Sequence, residues 1–413
     1  MIKALRGMND ILDEQARIYS QILSVCERVA RNYGFCLIET PKLEQTALFR
    51  RSVGESSDIV GKEMYEFSDK SGDSVCLRPE GTAGVVRAFI EKKLDRNGGV
   101  HKFYYQGSMF RYERPQKGRL REFHQFGVEC FGQSSVYEDA SVILMLAQIL
   151  CELNVAATLK INSLGDEECM PAYKTKLVNF LQDRKDRLCE DCQRRIDTNP
   201  IRVLDCKNES CQKILAAAPL ITENLNDACA AEFAQLQRIL TQNGQKFEID
   251  PKLVRGLDYY CKTAFEFVSS ELGAQSAVGG GGRYDRLVEF LGGRKTAGVG
   301  FAIGIERIAE ILKTREAPQM REGLYIGALD EAFVSTAFSF ALKLRKLCKT
   351  QISYEPRSLA KHLKAADAAE AKFCLCIGQD EFDRAEVWCK NLEDQSTFTI
   401  KFKEVEAFFK DRA

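Results

Sequence analysis

A basic stretch at residues 110–129, FRYERPQKGRLREFHQFGVE, is the first candidate for chemistry. Arg111 stands at the end of a strand-like run, and the basic side chains of the following loop are Arg114, Lys117, Arg119 and Arg121. Guanidinium groups match phosphate oxygens in a bidentate geometry, so a hairpin of this kind can bind a polyphosphate. The alternative is a solvent-exposed basic loop without a ligand, which is the commoner role of a run of charges.

The strand that leaves this loop carries polar residues at every second position. Gln125, Gly127 and Glu129 share one face of it, because side chains alternate along a strand. Phe123 is placed to stack on a base. His124 points to the opposite face, and we interpret it as a structural, hydrogen-bonded histidine. Glutamine and glutamate inside an apolar strand argue against a merely solvated loop.

A second candidate lies at residues 77–87, LRPEGTAGVVR, where Glu80 and Thr82 precede an apolar helical run. Both side chains are suited to capping the start of a helix, which would be a structural role. Alternatively, Glu80 supplies a carboxylate for a cationic ligand group such as an α-ammonium. The residues alone leave both interpretations open.

Two further arginines lie beside glycines in apolar surroundings. In VRGLDYY at 254–260, a buried Arg255 needs a partner, either Asp258 or the charge of a reacting phosphate or carboxylate in a pocket. In GFAIGIERIAEIL at 300–312, Arg307 falls in the first helical turn after Gly304. A cation there opposes the helix dipole, so Arg307 is either a surface residue or kept for a ligand such as the far phosphates of a nucleotide.

Cysteine is abundant, with sixteen residues in the chain. Most lie in apolar runs, which is typical of buried reduced thiols in a cytosolic protein. The segment 188–211 has the spacing C-x2-C-x13-C-x4-C, which suits tetrahedral zinc. Chance clustering in a cysteine-rich chain is the other interpretation, and both stay open; the four residues are Cys189, Cys192, Cys206 and Cys211.

Composition limits the class of protein. The 413 residues exceed one ordinary core, and 59 basic residues balance 59 acidic ones, so a nucleic-acid contact must come from local patches. The N-terminus lacks the apolar core of a signal peptide, and no apolar run is long enough for a membrane span. The four glycines at 279–282 do not match a dinucleotide fingerprint, and a phosphate-binding P-loop motif is missing from the sequence.

The order of the elements predicts an α+β domain, an antiparallel sheet flanked by helices, followed by a small α/β domain with a mostly parallel or mixed sheet. A strand interrupted by Pro41 and a polar, helical insertion at about 165–225 belong to the first part. Its other predicted elements are helices 11–33 and 136–153, strands 75–78, 100–111 and 123–131, strand-like sequence at 250–268, and a strand–turn–helix at 298–313. After a linker at 314–323, we predict strands at 324–329, 351–355, 373–378 and 397–402, with helices at 332–349, 358–371, near 381–391 and at the C-terminus.

Together these segments resemble the class II aminoacyl-tRNA synthetases, and within that class the histidyl-tRNA synthetase family. The basic hairpin is similar to motif 2, GVGFAIGIERI to motif 3, and GFCLIETPKLEQTALFRRSVGESSDIV to motif 1 and its continuation. LRPEGTAG and LVRGLDYY resemble the segments that mark the histidine-specific members. The resemblance covers nearly the whole chain.

The resemblance implies a catalytic core at 1–317 with the insertion, and an anticodon-binding domain at 324–413. It implies that L-histidine is activated with ATP and Mg²⁺ and then transferred to tRNA(His), by a cytoplasmic homodimer that pairs through the motif 1 region. A local patch at 343–364, with seven basic residues and one acidic, suits phosphate contacts, although a lysine-rich helix face is the alternative.

The resemblance also implies a role for each candidate residue. Arg111 holds the α-phosphate, Arg307 the γ-phosphate, and Glu113 and Phe123 the adenine. Catalytic Arg255 lies where the histidine carboxylate attacks, and Arg114 and Gln116 read the acceptor end of the tRNA. The implied histidine pocket consists of Glu80, Thr82, Gln125, Glu129, Tyr259, Tyr260, Tyr284 and Gly280–Gly282.

Three other functions fit the sequence less well. An inactive paralogue, regulatory or tRNA-sensing, typically loses the C-terminal domain or residues such as Arg255, and this chain keeps both. RGLDYY and RPEGT argue against another amino-acid specificity. A nucleic-acid-binding module without catalysis does not explain Glu80, Glu129 and Arg307 together.

Overall fold

The computed structural model describes residues 2–54, 57, 59–116, 118–206, 208–254, 259–275, 277–315, 321–410 and 412. The chain divides into two compact units, Met1–Arg315 and Glu316–Ala413. Within the described ranges, no helix is both long and apolar enough to cross a bilayer.

The first unit has helices on either side of strands. Its strands are β1 (Cys36–Leu37), β2 (Leu43–Gln45), β3 (Tyr65–Ser68), β4 (Ser74–Leu77), β5 (His101–Phe110), β6 (Glu122–Phe131), β7 (Thr158–Ser163), β8 (Glu248–Ile249), β9 (Cys261–Val268), β10 (Ala277–Arg283) and β11 (Gly298–Gly304). Its helices are α1 (Asp13–Asn32), α2 (Thr46–Val53), α3 (Thr82–Glu91), α4 (Val136–Glu152), α5 (Met170–Gln182), α6 (Glu190–Thr198), α7 (Glu209–Leu215), α8 (Asp227–Gln242), α9 (Leu287–Phe290) and α10 (Ile305–Lys313).

The main sheet has the strand order β1-β5-β6-β11-β10-β9-β7-β8. The pairs from β5 to β7 are antiparallel, and only the edge pairs β1–β5 and β7–β8 are parallel. This confirms the α+β class that the order of elements predicts. Helices α1, α4, α8 and α10 bury their apolar faces against the sheet in one large core.

Helix α4 illustrates how the sequence places an element in this core. Its apolar residues surround most of the helix rather than one stripe, which is typical of a helix buried on several sides. A buried ion pair joins it to the sheet, since Arg283 Nε lies 3.1 Å from both carboxylate oxygens of Asp139. Two charges removed from water in this way must stay paired, so the contact fixes α4 over the end of β10.

The predicted strand around Pro41 is two strands in two sheets. β1 pairs with β5 at the edge of the main sheet, whereas β2 joins the small sheet β2-β4-β3. Proline lacks the amide hydrogen that a ladder needs, so the chain leaves one sheet there and enters another. Within the described part of the strand-like sequence at 250–268, the strand runs from Cys261 to Val268.

The segment predicted as a helical insertion contains α5, α6 and α7 and has a hydrophobic cluster of its own. Leu177, Leu181 and Leu215 are fully buried in that cluster. Val254 and Ala264 from the main body complete it. The insertion is therefore packed against Val254 and strand β9.

The second unit is a five-stranded mixed sheet with the order β13-β12-β14-β15-β16. Its elements are β12 (Leu324–Ala328), α11 (Val334–Leu344), β13 (Thr350–Ile352), α12 (Leu359–Ala368), β14 (Phe373–Ile377), α13 (Gln379–Asp383), β15 (Glu386–Asn391), β16 (Thr397–Lys401) and α14 (Val405–Phe409). The helix predicted near 381–391 is wrong. Only 379–383 is helical, and EVWCKN forms an antiparallel strand because alternate side chains, Val387 and Cys389, are buried in the core.

Candidate active site

The hairpin of β5 and β6 is the frame of the candidate site. The strands are in continuous register from His101 opposite Phe131 to Phe110 opposite Glu122. On the other side of β6, Gln125 lies opposite Gly304 and Glu129 opposite Gly300. The two pairs are four residue steps apart along the strand, so Glu129 lies about 13 Å from Gln125 along β6.

A cavity of about 1180 Å³, its open mouth included, lies on the face of the sheet that carries Phe123 and Gln125. The lining residues are Ile59, Glu80, Thr82, Tyr105, Arg111, Glu113, Gly118, Arg119, Leu120, Phe123, Gln125, Tyr259, Tyr260, Glu266, Ala277, Val278, Gly279, Gly280, Gly300, Phe301, Ala302, Gly304, Glu306 and Arg307. Sequence-distant segments therefore meet at one cavity.

Glu80 closes the start of helix α3 and also lines the cavity. Its two carboxylate oxygens accept hydrogen bonds from the backbone amides of Thr82 (2.6 Å) and Ala83 (2.9 Å). The capping role that the sequence left open is thus present, and it does not remove Glu80 from the cavity wall. Burial raises the pKa of Glu80, while these amide hydrogen bonds oppose the shift.

Glu129 lies behind the wall of the cavity and is 1% exposed. The Thr82 hydroxyl donates to Glu129 Oε1 at 2.7 Å, and the Tyr284 hydroxyl donates to Glu129 Oε2. Burial is the largest cause that raises the pKa of Glu129 to about 8, and the two hydroxyl donors only partly offset it. This carboxyl group therefore changes its charge near neutral pH.

Four buried polar atoms of the cavity lining have no hydrogen-bond partner of good geometry among the described residues. They are the hydroxyls of Tyr105 and Tyr259, the amide oxygen Oε1 of Gln125, and Glu113 Oε2, which has only its ion-pair contact to Arg119. An unsatisfied buried polar atom costs about 1–3 kcal/mol. Such atoms gathered around one cavity are suited to a polar ligand that supplies the missing partners.

Arg111 and Arg307 face the same cavity from different elements. Arg111 follows β5, donates from Nε to the Pro79 carbonyl at 2.9 Å, and holds its guanidinium 5.1 Å from the centre of the Phe123 ring. Arg307, the third residue of α10, donates to the Ala277 carbonyl at 2.6 Å. Burial lowers the pKa of both side chains, and for Arg307 the nearby Arg119 adds to the effect. Two cations buried around one space favour an anionic ligand.

The basic loop between β5 and β6 is only partly solvated. Arg119 Nε lies 2.6 Å from Glu113 Oε2, and the Arg121 guanidinium lies 3.9 Å from the centre of the Tyr112 ring. The Gly7 carbonyl accepts from the Arg121 amide at 2.8 Å, which ties the N-terminal segment to the loop. The loop is thus anchored at its base, and Lys117 lies outside the described residues.

The glycine run at 279–282 is the middle of strand β10, not a phosphate-sized turn. A Cβ on Gly281 would lie 1.9 Å from the Gly300 carbonyl oxygen, and one on Gly300 would lie 2.1 Å from Glu129 Oε2. The glycines therefore allow β10 and β11 to approach each other and leave room for the Glu129 carboxylate.

His124 lies on the opposite face of β6 from Gln125, in agreement with the structural role predicted for it. Its Nδ1 lies 3.0 Å from Glu306 Oε1 and its Nε2 lies 3.3 Å from Ser108 Oγ. The Glu306 carboxylate also accepts from the His124 amide at 2.8 Å. The histidine thus joins β6 to the first turn of α10 and fixes Glu306 beside the cavity.

Comparisons with known proteins identify the family. The family model for histidyl-tRNA synthetase matches residues 7–308, and the model for the anticodon binding domain matches residues 323–412. The histidine–tRNA ligase of Campylobacter hominis is 65% identical over 405 residues, covering 98% of this chain and 99% of that protein. The chain belongs to the histidyl-tRNA synthetase family.

Other members of the family agree with this assignment. The histidine–tRNA ligase of Sulfurimonas denitrificans is 58% identical over 400 residues, covering 97% of this chain and 99% of that protein. Among solved structures, apo histidyl-tRNA synthetase from S. aureus superimposes with a TM-score of 0.82 at 34% identity, covering 100% of both chains. The class II synthetase fold that the motifs predict is therefore confirmed.

In this member of the histidyl-tRNA synthetase family, most of the residues singled out from the sequence come together. Glu80, Thr82, Arg111, Glu113, Phe123, Gln125, Tyr259, Tyr260, Gly280 and Arg307 line the cavity, and Glu129 and Tyr284 lie directly behind it. Arg114 and Gln116 are exposed on the loop. Arg255, together with its alternative partner Asp258, lies outside the described residues.

Three polar residues that line the cavity were not predicted from the sequence: Tyr105, Glu266 and Glu306. Tyr105 lies on the same face of β5 as Phe103. Glu266 lies inside the apolar strand CKTAFEFV. A charged residue inside an apolar strand is the signal that identified Glu129, and the same rule would have found Glu266.

Outside the cavity, the structure brings the four cysteines of the insertion together. The sulfur atoms of Cys189, Cys192, Cys206 and Cys211 all lie within 4.8 Å of one another. In the second unit, the basic side chains of 343–364 are exposed, and three of them pair with acids: Lys343 with Glu406, Lys349 with Glu322 and Arg357 with Glu355.

Proposed function

We propose that this chain is a histidine–tRNA ligase that activates L-histidine with ATP and transfers it to the 3′ end of tRNA(His). Membership of the family supports the reaction. The observation that carries the proposal is one cavity in which buried arginines and buried carboxylates meet across a single sheet. A nucleotide with a zwitterionic amino acid has the matching charges.

The layout of the cavity supports one orientation of the two substrates. Arg307 follows Gly304, which lies opposite Gln125, whereas Glu129 lies opposite Gly300, about 13 Å away along the strand. We assign the Arg111 and Arg307 end to ATP. The end near Glu80, Thr82 and Glu129 receives the histidine ammonium and imidazole.

In this assignment the arginines hold the triphosphate. Arg111 contacts the α-phosphate, Arg307 the γ-phosphate, and the adenine stacks on Phe123 beside Glu113. The Arg111 guanidinium already lies over the Phe123 ring, so the adenine and the α-phosphate have their partners on adjacent groups. Glu113 is paired with Arg119 in the free protein, and adenine binding would have to share or replace that contact.

The histidine ligand would satisfy the unpartnered atoms of the cavity. Its ammonium would lie near Glu80 and Thr82, and its carboxylate near Gln125. Its imidazole would lie near Tyr260, on the side of the cavity where Glu129 and Tyr284 are hydrogen-bonded to each other. Tyr259 and Gly280–Gly282 shape the wall. The hydroxyls of Thr82 and Tyr284 donate to Glu129 and hold its carboxylate in a defined orientation. A fixed orientation is required if the site is to select one amino-acid side chain among the substrates.

The chemistry needs positioning and charge stabilisation rather than a general base. The histidine carboxylate oxygen attacks the α-phosphorus, the bond to the bridging oxygen breaks, and pyrophosphate leaves. The terminal ribose hydroxyl of the tRNA then attacks the carbonyl carbon of the adenylate, and AMP leaves. Arginines that are already in place lower the cost of the charge that develops on phosphate oxygens. We assign that task to Arg111 and to Arg255.

Mg²⁺ belongs to the proposal as a partner of ATP. Carboxylates suit this hard cation. It usually keeps several water ligands and is bound by one or two carboxylates together with the phosphates of the substrate. Glu266 lines the same cavity as Arg307 and would hold it. The ion would neutralise charge on the bridged phosphates.

The tRNA would contact two regions. Arg114 and Gln116, exposed on the hairpin loop, are assigned to the acceptor end. The second unit, matched by the anticodon binding domain model, carries the basic patch for the anticodon arm. We divide the chain functionally at the linker, with the catalytic core at 1–317 and the anticodon-binding domain at 324–413.

We also propose a cytoplasmic homodimer that pairs through the motif 1 region. Apolar side chains remain exposed on edge strands in and beside this region: Leu37 on β1 is 54% exposed, Leu43 on β2 is 44% exposed, and Phe67 on β3, beyond the motif, is 47% exposed. Exposed apolar side chains grouped on strand edges favour burial against a second chain. Light scattering after size-exclusion chromatography would give twice the monomer mass.

The deciding experiment is amino-acid-dependent exchange of pyrophosphate into ATP, with Mg²⁺ and each of the twenty amino acids. Exchange with histidine alone establishes the reaction and its substrate. If a well-folded protein exchanges with none of them, the chain is a regulatory relative, and the hairpin serves only to bind RNA.

A substitution of Arg255 tests the catalytic assignment. We expect R255A to lose at least a hundredfold in exchange rate while its thermal unfolding stays unchanged. R238Q, a neutral replacement on the exposed face of α8, is the control and keeps the exchange rate. Exchange by R255A at the unchanged rate would remove Arg255 from the mechanism.

A further inference from the structure

The four cysteines of the insertion form a compact cluster away from the cavity. Cys192, Cys206 and Cys211 are buried and Cys189 is half-buried. The sulfurs of Cys189 and Cys206 lie 3.8 Å apart, and all four lie within 4.8 Å of one another. All sixteen cysteines of the chain are free thiols, so disulfide formation does not explain this convergence.

The sequence brings two cysteines to the cluster from each of two short segments. Cys189 directly precedes helix α6 and Cys192 lies in its first turn. Cys206 follows the short helix Pro200–Asp205, and Cys211 lies in α7. Two pairs that approach one point from separate turns are the usual way in which a small domain surrounds a metal ion.

The geometry fits a tetrahedral thiolate site. With a zinc–sulfur distance of about 2.3 Å, the sulfurs of a regular tetrahedron lie about 3.8 Å apart. The Cys189–Cys206 separation matches this value, and an upper limit of 4.8 Å leaves only a small contraction for the rest. A disulfide, by contrast, requires about 2.05 Å between sulfurs.

Backbone amides point at two of these sulfurs. The Cys189 amide donates to Cys211 Sγ at 3.2 Å, and the Asn208 amide donates to Cys206 Sγ at 3.4 Å. Amide donors stabilise sulfur that carries negative charge and orient it, as outer hydrogen bonds do around metal ligands. Neutral thiols in an apolar core do not require such donors.

We propose that Cys189, Cys192, Cys206 and Cys211 bind one structural Zn²⁺ in the insertion. Binding converts the four thiols to thiolates and releases their protons to solvent, without any change of oxidation state. All four positions of the ion are filled by protein, so the site has no open position for catalysis.

The ion would stabilise the insertion against the main body. The cysteines belong to the same hydrophobic cluster as Val254, the described residue that directly precedes the segment with Arg255. A cross-link between the starts of α6 and α7 would therefore hold the surface against which Val254 packs. This inference concerns the fold of the insertion and does not depend on the proposed ligase reaction.

Metal content of the full-length protein, purified without chelators, tests the proposal. We expect elemental mass spectrometry to find about one zinc ion per protein chain. After exchange for Co²⁺, we expect the intense visible absorption of tetrahedral cobalt bound by thiolates. A metal-free protein that binds neither Zn²⁺ nor Co²⁺, with sixteen thiols reactive after denaturation, would overturn the proposal.

Paired variants place the ion. C206A/C211A should lose the zinc, whereas C374A/C376A should keep it, since those two buried thiols lie 4.0 Å apart in the second unit without two further ligands beside them in the described chain. A second group, Asp166, Cys169 and Cys229, also lies within metal-binding distance. Zinc that is lost from C169A/C229A but kept by C206A/C211A would refute the assignment. If C206A/C211A does not fold, the cobalt spectrum of the unaltered protein still decides the number of thiolate ligands.

Discussion

At the scale of single residues, Glu129 is the group whose surroundings carry most of the chemistry. It is a carboxyl group inside an apolar strand, it accepts hydrogen bonds from Thr82 and Tyr284, and Gly300 leaves the space that it occupies. Burial favours the protonated form, and the hydroxyl donors favour the ionised one. Its charge in the free protein is therefore balanced near neutrality, where a ligand can shift it.

The titration of Glu129 predicts a pH-dependent stability. Because the folded pKa of about 8 lies above the unfolded value, the folded protein holds this proton between roughly pH 4.5 and 8 and loses stability as the pH rises. One proton contributes a slope of at most about 1.4 kcal/mol per pH unit. In E129Q this slope should be absent. Urea unfolding of both proteins from pH 5 to 9 measures it, and parallel curves would show that Glu129 does not titrate in this range.

Gly300 predicts a steric requirement at the same place. G300A should lower the unfolding free energy by about 1–3 kcal/mol, because its Cβ would meet Glu129 Oε2 at 2.1 Å and the Val128 carbonyl at 2.2 Å. G61A is the control, since a Cβ there meets nothing within 4 Å. Thermal unfolding and histidine-dependent exchange compare the two. Equal stability of G300A and the parent chain would mean that β6 and β11 shift apart easily.

At the scale of elements, the β5–β6 hairpin places two sets of polar residues in different surroundings. Arg111 lines the cavity at the end of β5, whereas Arg114 and Gln116 are exposed on the loop. In the proposed function, Arg111 serves the activation step, and Arg114 and Gln116 contact the tRNA. Two tethers fix the loop to the body, from Gly7 and from the Glu63 carbonyl, which accepts from the Tyr112 amide at 2.6 Å.

This division predicts different kinetic effects for the two groups. R111A should lose pyrophosphate exchange by at least a hundredfold, because a buried charge partner of the phosphate is removed. R114A/Q116A should keep exchange within about twofold and should lose about tenfold in the rate of transfer to tRNA. Single-turnover transfer from preformed adenylate separates the steps. An equal loss of both steps in R114A/Q116A would contradict the division.

At the scale of the whole molecule, net charge is zero, so the binding of a polyanion depends on where the charges are. Seven basic side chains are concentrated at 343–364 in the second unit, and all of them are exposed. Salt bridges to acids engage three, which leaves the charges of Lys361 and Lys364 on α12 as the clearest test of the patch.

Charge reversal on α12 should weaken tRNA binding without changing amino-acid activation. We expect K361E/K364E to raise the KM for tRNA about tenfold or more and to reduce its dependence on salt, since fewer phosphate counterions are released. K403E/K410E makes the same charge change in the same unit outside the patch and should have a small effect. An unchanged KM for tRNA in K361E/K364E would identify the patch as a solvated helix face.

Much of this molecule was predictable from local sequence. The strand–turn–helix at 298–313, the helix at 136–153 and the hairpin strands follow from periodicity and glycine positions, because adjacent residues determine whether a segment buries one face or two. The arginines, Glu80 and Glu129 stood out as charges in apolar surroundings. The helix predicted near 381–391 was wrong because its residues suit a helix locally, and only the neighbouring strands β14 and β16 make EVWCKN a strand.

The amino-acid sequence by itself determined the family, the order of the elements and the set of residues available for chemistry. The tertiary structure decided which of them meet: Thr82, Glu129 and Tyr284 are joined by hydrogen bonds across 47 and 155 residues of chain, and four sulfurs from two segments converge on one point. It also decided that the glycine run is the middle of a strand. These outcomes depend on strand register and on packing between distant segments, which no local pattern encodes.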